Sequence, residues 1–151
     1  MEPSDGPTRL VHLVSRAAVR LTSPRRAKSL ADRVAAMLPP LRGLADAKIA
    51  MKVLGNSGTC LTRALAVASR LPGAEIVIGV DPTVKPIPAA HAWVEFRGIV
   101  IETAPPTGDG AARHVAEIAR LSATKHRAAR ASALTFAVAL HQVTELFRRF
   151  R

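Results

Sequence analysis

Three short stretches decide the fold of this chain: CLTRALAVASRL at residues 60–71, AEIVIGV at 74–80 and HAWVEFRGIVIE at 91–102. Apolar residues recur at helical spacing in the first stretch, which predicts a helix that ends at Pro72-Gly73. The second is a β-branched run typical of a strand. The third predicts two strands joined by the two-residue turn Arg97-Gly98. Strands joined by such short connections pair antiparallel, because a parallel crossover needs a longer segment.

Between the second and third stretches lies DPTVKPIP at residues 81–88, and its three prolines predict a loop. Helices are predicted on both sides of this central region. On the N-terminal side, one helix has an apolar stripe, the second begins at Ser23-Pro24 and ends at Pro39-Pro40, and the third covers residues 41–54. The stripe of the first helix consists of Leu10, Leu13, Val14, Ala17 and Leu21.

After residues 105–110, which are rich in Pro and Gly, we expect one long helix or two shorter ones in the C-terminal third. An apolar stripe there follows helical spacing: Phe136, Leu140, Val143, Phe147 and Phe150. The fold class predicted is therefore α+β. It has a small antiparallel sheet and a helix that carries a candidate nucleophile, flanked by N- and C-terminal helices.

The length of 151 residues predicts a single domain with a substantial core. Its formal net charge is +11, unevenly distributed: residues 1–54 carry +6, residues 55–107 carry 0 and residues 108–151 carry +5. The basic residues thus lie in the flanks and not in the central region, which argues against a nucleic-acid-binding domain. Aromatic residues make up only 3% of the chain and Tyr is absent, so the core must consist mainly of Ala, Leu, Val and Ile.

Several classes of protein are excluded by composition. The single cysteine, Cys60, excludes an intramolecular disulfide framework and a Cys-rich zinc site. No stretch approaches the roughly 18 apolar residues of a membrane span, and no basic segment leads into an apolar one at the N-terminus. Residues 55–59 (GNSGT) lack the lysine of a phosphate-binding loop. We therefore expect a soluble cytoplasmic protein with neither cofactor nor metal, since Glu75, Asp81 and His91 do not form a convincing ligand set.

Cys60 is the candidate nucleophile. It follows the polar loop at residues 55–59 and begins the predicted helix. At a helix N-terminus, unpaired N–H groups and the helix dipole favour a thiolate and lower a pKa that is about 8.5 in free cysteine. The same N–H groups suit an oxyanion formed beside the sulfur.

His91 is the candidate general base that a cysteine nucleophile needs. It begins a strand after the proline-rich loop, and the alanines on either side leave room for the imidazole to meet another element. The remaining histidines lie on the predicted basic helices, where a solvated or packing role is expected: His12, His114, His126 and His141.

Glu102 is the candidate carboxylate that orients His91. With Arg97-Gly98 as a two-residue turn, Phe96 pairs with Ile99 and Trp93 with Glu102, so Glu102 shares the face of His91. Glu95 lies on that face too but is further from His91 and is the weaker candidate. A register shift of one residue would exchange these assignments.

The residues CLTRAL (60–65), VIGV (77–80), AHAWVE (90–95) and Gly98 resemble one family of transglutaminase-like cysteine proteases. These enzymes remove leader peptides during lasso-peptide biosynthesis, and the microcin-processing peptidase belongs to them. The resemblance covers residues 56–103, about a third of the chain. It implies a papain-like core with a Cys-His-Asp triad in which Cys60 is the nucleophile and His91 the base.

The resemblance also implies a precursor peptide as substrate, a separate leader-recognition protein and a macrocyclase that acts after cleavage. The family usually has Asp one position beyond Glu102, where this chain has Thr103. Two alternatives stay open. One is a non-catalytic module whose basic flanks bind nucleic acid or an acidic peptide, although single-strand binders usually need more aromatic residues. The other is acyl transfer to an amine, as in transglutaminases, through the same thioester.

Overall fold

Four helices precede a four-stranded sheet in the computed structural model, which describes residues 5–81, 89–101 and 116–122. The helices are α1 (Asp5–Leu21), α2 (Pro24–Ala35), α3 (Leu44–Leu54) and α4 (Cys60–Ala68). The strands are β1 (Ala74–Asp81), β2 (Ala89–Phe96), β3 (Ile99–Ile101) and β4 (Ala116–Leu121). The predicted α+β class with a small antiparallel sheet is confirmed. Within the described ranges, no helix combines the length and apolar character needed to cross a membrane.

The sheet has the strand order β3-β2-β1-β4, and neighbouring strands are antiparallel. At the hairpin between β2 and β3, Phe96 pairs with Ile99, as the sequence predicts. Arg97 and Gly98 both have positive φ, 53° and 75°. Positive φ at both central residues matches the right-handed twist of the strands, and it keeps the turn at two residues and determines the register.

The C-terminal third differs from its predicted helical structure at one described segment. Residues 116–121 form strand β4 and pair with β1, so the expectation of helix is wrong there. In a segment of six residues the apolar pattern is too short to distinguish a helix from a strand, and the open edge of β1 supplies the backbone partners that favour a strand. The predicted apolar stripe at residues 136–150 lies outside the described residues.

The buried face of α1 also differs from the sequence-based expectation. Leu10, Leu13 and Leu21 are about half exposed. The buried residues are smaller and more polar: Thr8, Val11, His12, Val14, Ser15 and Ala18. Small side chains allow the helix to approach α2 and α4, its principal contacts, more closely than leucines would. As a result, the histidine of α1 lies inside the protein.

The core between the helices and the sheet consists mainly of Ala, Val, Leu and Ile, in agreement with the composition. Alanines supply much of the contact between helices: Ala18, Ala27, Ala31, Ala47, Ala50, Ala64, Ala66 and Ala68. From the sheet, Ile76 and Val94 are completely buried. Helix α4 packs against β1 and β2 as well as α1, so it is the central helix that connects the two layers.

Candidate active site

Cys60 is the first residue of α4, as its sequence context predicts. The preceding residue, Thr59, is the N-cap. The Thr59 hydroxyl accepts from the backbone N–H of Thr62 at 3.3 Å, and the Thr62 hydroxyl accepts from the Thr59 N–H at 3.0 Å. This reciprocal pair is a capping box, with Thr in the place usually taken by Glu or Gln. It fixes the first turn of the helix and therefore the position of Cys60.

The thiol of Cys60 is half-buried and lies within reach of a hydrogen bond with the His91 side chain. This bond is the largest of the effects that lower the pKa of Cys60 below its ordinary value. Burial acts in the opposite direction. The backbone N–H groups of Ala92 and Leu61 add to the lowering, because donors to the sulfur favour its negative form. The surroundings of the sulfur therefore favour the thiolate form of Cys60.

His91 reaches Cys60 from strand β2. In the sheet it pairs with Gly79 of β1, so the neighbouring position carries no side chain. Its imidazole is stacked with the indole of Trp93, with ring centroids 6.1 Å apart and an angle of 23° between the planes. The next residue, Ala92, is buried and donates its N–H to the sulfur. One strand thus supplies the candidate base, a ring that packs against it and a backbone donor.

The sequence offers two carboxylates that could orient His91, and the structure describes one of them. Glu102 lies outside the described residues, and its assignment stays a prediction. Glu95 belongs to an exposed cluster in which Arg120 of β4 contacts it at 3.1 Å and Glu75 at 2.9 Å. Because Glu95 is engaged by Arg120, it is the poorer partner for the imidazole.

Sequence reasoning gave His12 no specific role, but it lies beside the turn that leads to Cys60. Its side chain is 4% exposed, and its Nε2 atom lies 3.3 Å from the Thr62 hydroxyl. The ring also donates to the backbone carbonyl of Ser57. Burial lowers the pKa of His12, and the positive charges of Arg16 and Arg63 lower it further, so the neutral imidazole is favoured.

Arg63 also contacts this turn, at its first residue. Its guanidinium donates to the carbonyl of Gly55 at 2.8 Å, and the residue is 6% exposed. The sequence does contain one signal for this arrangement. Thr59 and Thr62 stand three residues apart just before an apolar run, which is the spacing of a capping box. The contact of His12 with that box joins residues 50 positions apart and has no local signal.

The described residues contain no group of three or more His, Cys, Asp or Glu side chains that is suited to a metal ion. The chemistry available at the site is proton exchange between a thiol and an imidazole, beside backbone donors at a helix N-terminus. No protein-family model, curated protein or solved structure matches this chain.

Proposed function

We propose that this protein is a cysteine peptidase with a transglutaminase-like, papain-like core. Its substrate would be a ribosomally made precursor peptide, from which it cleaves the leader during lasso-peptide maturation. One observation carries the proposal: the Cys60 thiol, at the first turn of α4, lies within hydrogen-bonding reach of the His91 side chain. A nucleophile with a base in hydrogen-bond contact is the arrangement that covalent acyl transfer requires.

In the proposed reaction, His91 takes the proton of the thiol and the Cys60 sulfur attacks the scissile carbonyl carbon. The oxyanion that forms would be stabilised by N–H groups of the first turn of α4, which have no intrahelical acceptor. His91 then donates the proton to the leaving amine as the carbon–nitrogen bond breaks, leaving a thioester on Cys60. Water, deprotonated by His91, hydrolyses the thioester to the carboxylate and the thiol. The steps balance without a cofactor or metal.

Glu102 would complete a triad by orienting His91, in place of the aspartate that the resembling family usually carries one position later. The observed pairing of Phe96 with Ile99 supports the register from which this role was predicted. Loss of the third member of a triad is tolerated better than loss of the nucleophile. We therefore expect a Glu102→Ala variant to retain more activity than a Cys60→Ala variant.

The charge distribution bears on the partners of the reaction. The central region, residues 55–107, has a net charge of 0, and the excess of +11 lies in the flanks. Those basic flanks would provide a docking surface for an acidic leader or for the leader-recognition protein, with a macrocyclase acting on the released product. Such docking would weaken as the salt concentration rises, because it depends on charge.

The first test measures cleavage of a synthetic lasso-type precursor peptide that carries its leader. We expect Cys60→Ala to abolish cleavage while the protein keeps its helical circular dichroism, and His91→Ala to reduce cleavage at least about a hundredfold, as loss of a general base does. Ser69→Ala is the matched control. Ser69 lies just beyond the opposite end of α4, so its loss should leave cleavage unchanged.

A second measurement is independent of the peptide. The rate at which iodoacetamide alkylates Cys60 should stay high at pH values below about 8.5, the ordinary pKa of a thiol. We call the dependence of this rate on pH the alkylation profile, and His91→Ala should shift it to higher pH. Full cleavage by Cys60→Ala would overturn the proposal. An unreactive Cys60, together with salt-sensitive binding of nucleic acid or of an acidic peptide, would favour a non-catalytic module. Formation of an amide in place of a carboxylate would identify acyl transfer to an amine.

A further inference from the structure

The buried side of the turn at residues 55–59 packs against a side chain of α1, a helix that is distant in sequence. His12 projects from α1, is 4% exposed, and contacts the Thr62 hydroxyl at 3.3 Å and the Ser57 carbonyl. Both partners belong to the structure that places Cys60: Ser57 lies in the turn, and Thr62 is half of the capping box. The ring therefore connects the turn to the first turn of α4.

Gly58 shows how closely the imidazole fits against this turn. A Cβ atom at Gly58 would lie 2.6 Å from the Thr62 hydroxyl and 2.8 Å from His12 Nε2. Its φ is +70°, a conformation that favours glycine. The outer side of the turn is exposed, whereas its inner side rests directly on the ring. Glycine is needed here both for the backbone conformation and for the space that the ring occupies.

Burial and the charges around the ring favour its neutral form. Arg16 of α1 and Arg63 of α4 are its cationic neighbours, and Arg63 itself donates to Gly55 at 2.8 Å. A third cation beside them, out of water, would be repelled by both arginines. A neutral imidazole instead forms hydrogen bonds without that repulsion, and it lies beside the cap without contacting the thiol or the base.

We propose that His12 is a positioning residue for Cys60, acting through the Thr62 hydroxyl and the Ser57 carbonyl to fix the turn and the first turn of α4. This inference rests on the proposed role of Cys60 as nucleophile. His12 would act on Cys60 through the backbone of the turn and of α4, without touching the sulfur itself. If the cap loosens, the first turn frays, the sulfur leaves its contacts with His91 and with the Ala92 N–H, and the thiol returns toward its ordinary acidity.

The test compares His12→Leu with His12→Gln, using alkylation of Cys60 by iodoacetamide as a function of pH. Leu fills the space without a polar atom, whereas the neutral amide of Gln can restore the contact made by Nε2. We expect His12→Leu to slow alkylation about fivefold at pH about 7, the size expected for a lost helix cap, and to shift the profile to higher pH. His12→Gln should recover most of the wild-type rate.

Ser15→Ala is the control, because Ser15 is buried on the same helix and its hydroxyl donates to Val11 rather than to the turn. It should leave the alkylation profile unmoved, whatever the size of its change in melting temperature. The inference is wrong if His12→Leu leaves the alkylation profile unmoved. It is also wrong if His12→Leu does not fold and His12→Gln shows the alkylation profile of an ordinary thiol. An ordinary thiol in the wild-type protein would instead contradict the proposed function, so the two failures are distinguishable.

Discussion

Two turns flank the residues of the candidate site, and they are stabilised in different ways. The turn at residues 55–59 precedes Cys60, and the turn at Arg97-Gly98 follows the strand of His91. Both contain residues with positive φ: 50° and 70° at Gly55 and Gly58, 53° and 75° at Arg97 and Gly98. Around Gly58, atoms of His12 and Thr62 leave no space for a side chain, whereas nothing lies within 4 Å of the position that a Cβ would take at Gly98.

The difference shows which turn depends on the rest of the molecule. The hairpin turn is stabilised locally, by two residues whose backbone conformation matches the twist of the adjoining strands. The turn before Cys60 depends on α1 and α4, which supply His12 and Arg63. A substitution in the hairpin turn should have only a local conformational cost. A substitution in the turn before Cys60 should also disturb packing and the reactivity of Cys60.

Gly58→Ala should have the largest effect. The added methyl group overlaps the Thr62 hydroxyl and His12 Nε2, and alanine disfavours the left-handed conformation. Together these should lower the free energy of unfolding by about 2 to 4 kcal/mol. Urea denaturation measures the loss, and the alkylation profile of Cys60 should shift to higher pH. A loss of stability no larger than that of Gly98→Ala would contradict the claim that this turn depends more on tertiary packing than the hairpin turn does.

Thr62→Val should come next. The side chains have nearly the same shape, but valine lacks the hydroxyl that accepts from Thr59 and contacts His12. Since Thr62 and His12 are both buried, the imidazole loses its partner away from water, and the helix loses half of its cap; we expect a loss of about 1 to 2 kcal/mol. Thr22→Val is the matched control. The Thr22 hydroxyl donates to Ala18 at an exposed position, so its loss should cost less than about 0.5 kcal/mol.

Gly98→Ala should have the smallest effect of the three substitutions, about 1 kcal/mol, because only the backbone conformation opposes it. The alkylation profile of Cys60 should stay that of the wild-type protein, which thermal unfolding and iodoacetamide kinetics can test on one sample. A shift of the profile comparable to that of Gly58→Ala would show that the hairpin turn is also coupled to the site.

Much of the candidate site could be predicted from local sequence. The polar stretch before Cys60 indicates a helix that begins at the cysteine, and Arg97-Gly98 indicates a hairpin with Phe96 opposite Ile99; both are observed. His91 was singled out because it lies on a strand, while the other histidines were assigned to helices. These features depend on residues close in sequence, for which backbone preferences are strong.

Other features could not be predicted in this way. The leucines of α1 suggested its buried face, but the structure buries the face that carries His12 and leaves Leu10 and Leu13 exposed. Residues 116–121 were expected to be helical but pair with the edge of β1. Both outcomes depend on the shape of a neighbouring element: the close approach of α2 and α4 in the first case, and an unpaired strand edge in the second.

The sequence by itself determined the class of the fold, the helix that begins at Cys60, the hairpin that carries His91 and the concentration of basic charge in the flanks. These follow from local backbone conformation, hydrophobic periodicity and the counting of charges. Only the tertiary structure brought His91 within hydrogen-bonding reach of the thiol, paired β4 with β1 and placed His12 beneath the turn. Contacts between residues 31 or 50 positions apart depend on how whole elements pack, and no local pattern of residues encodes that packing.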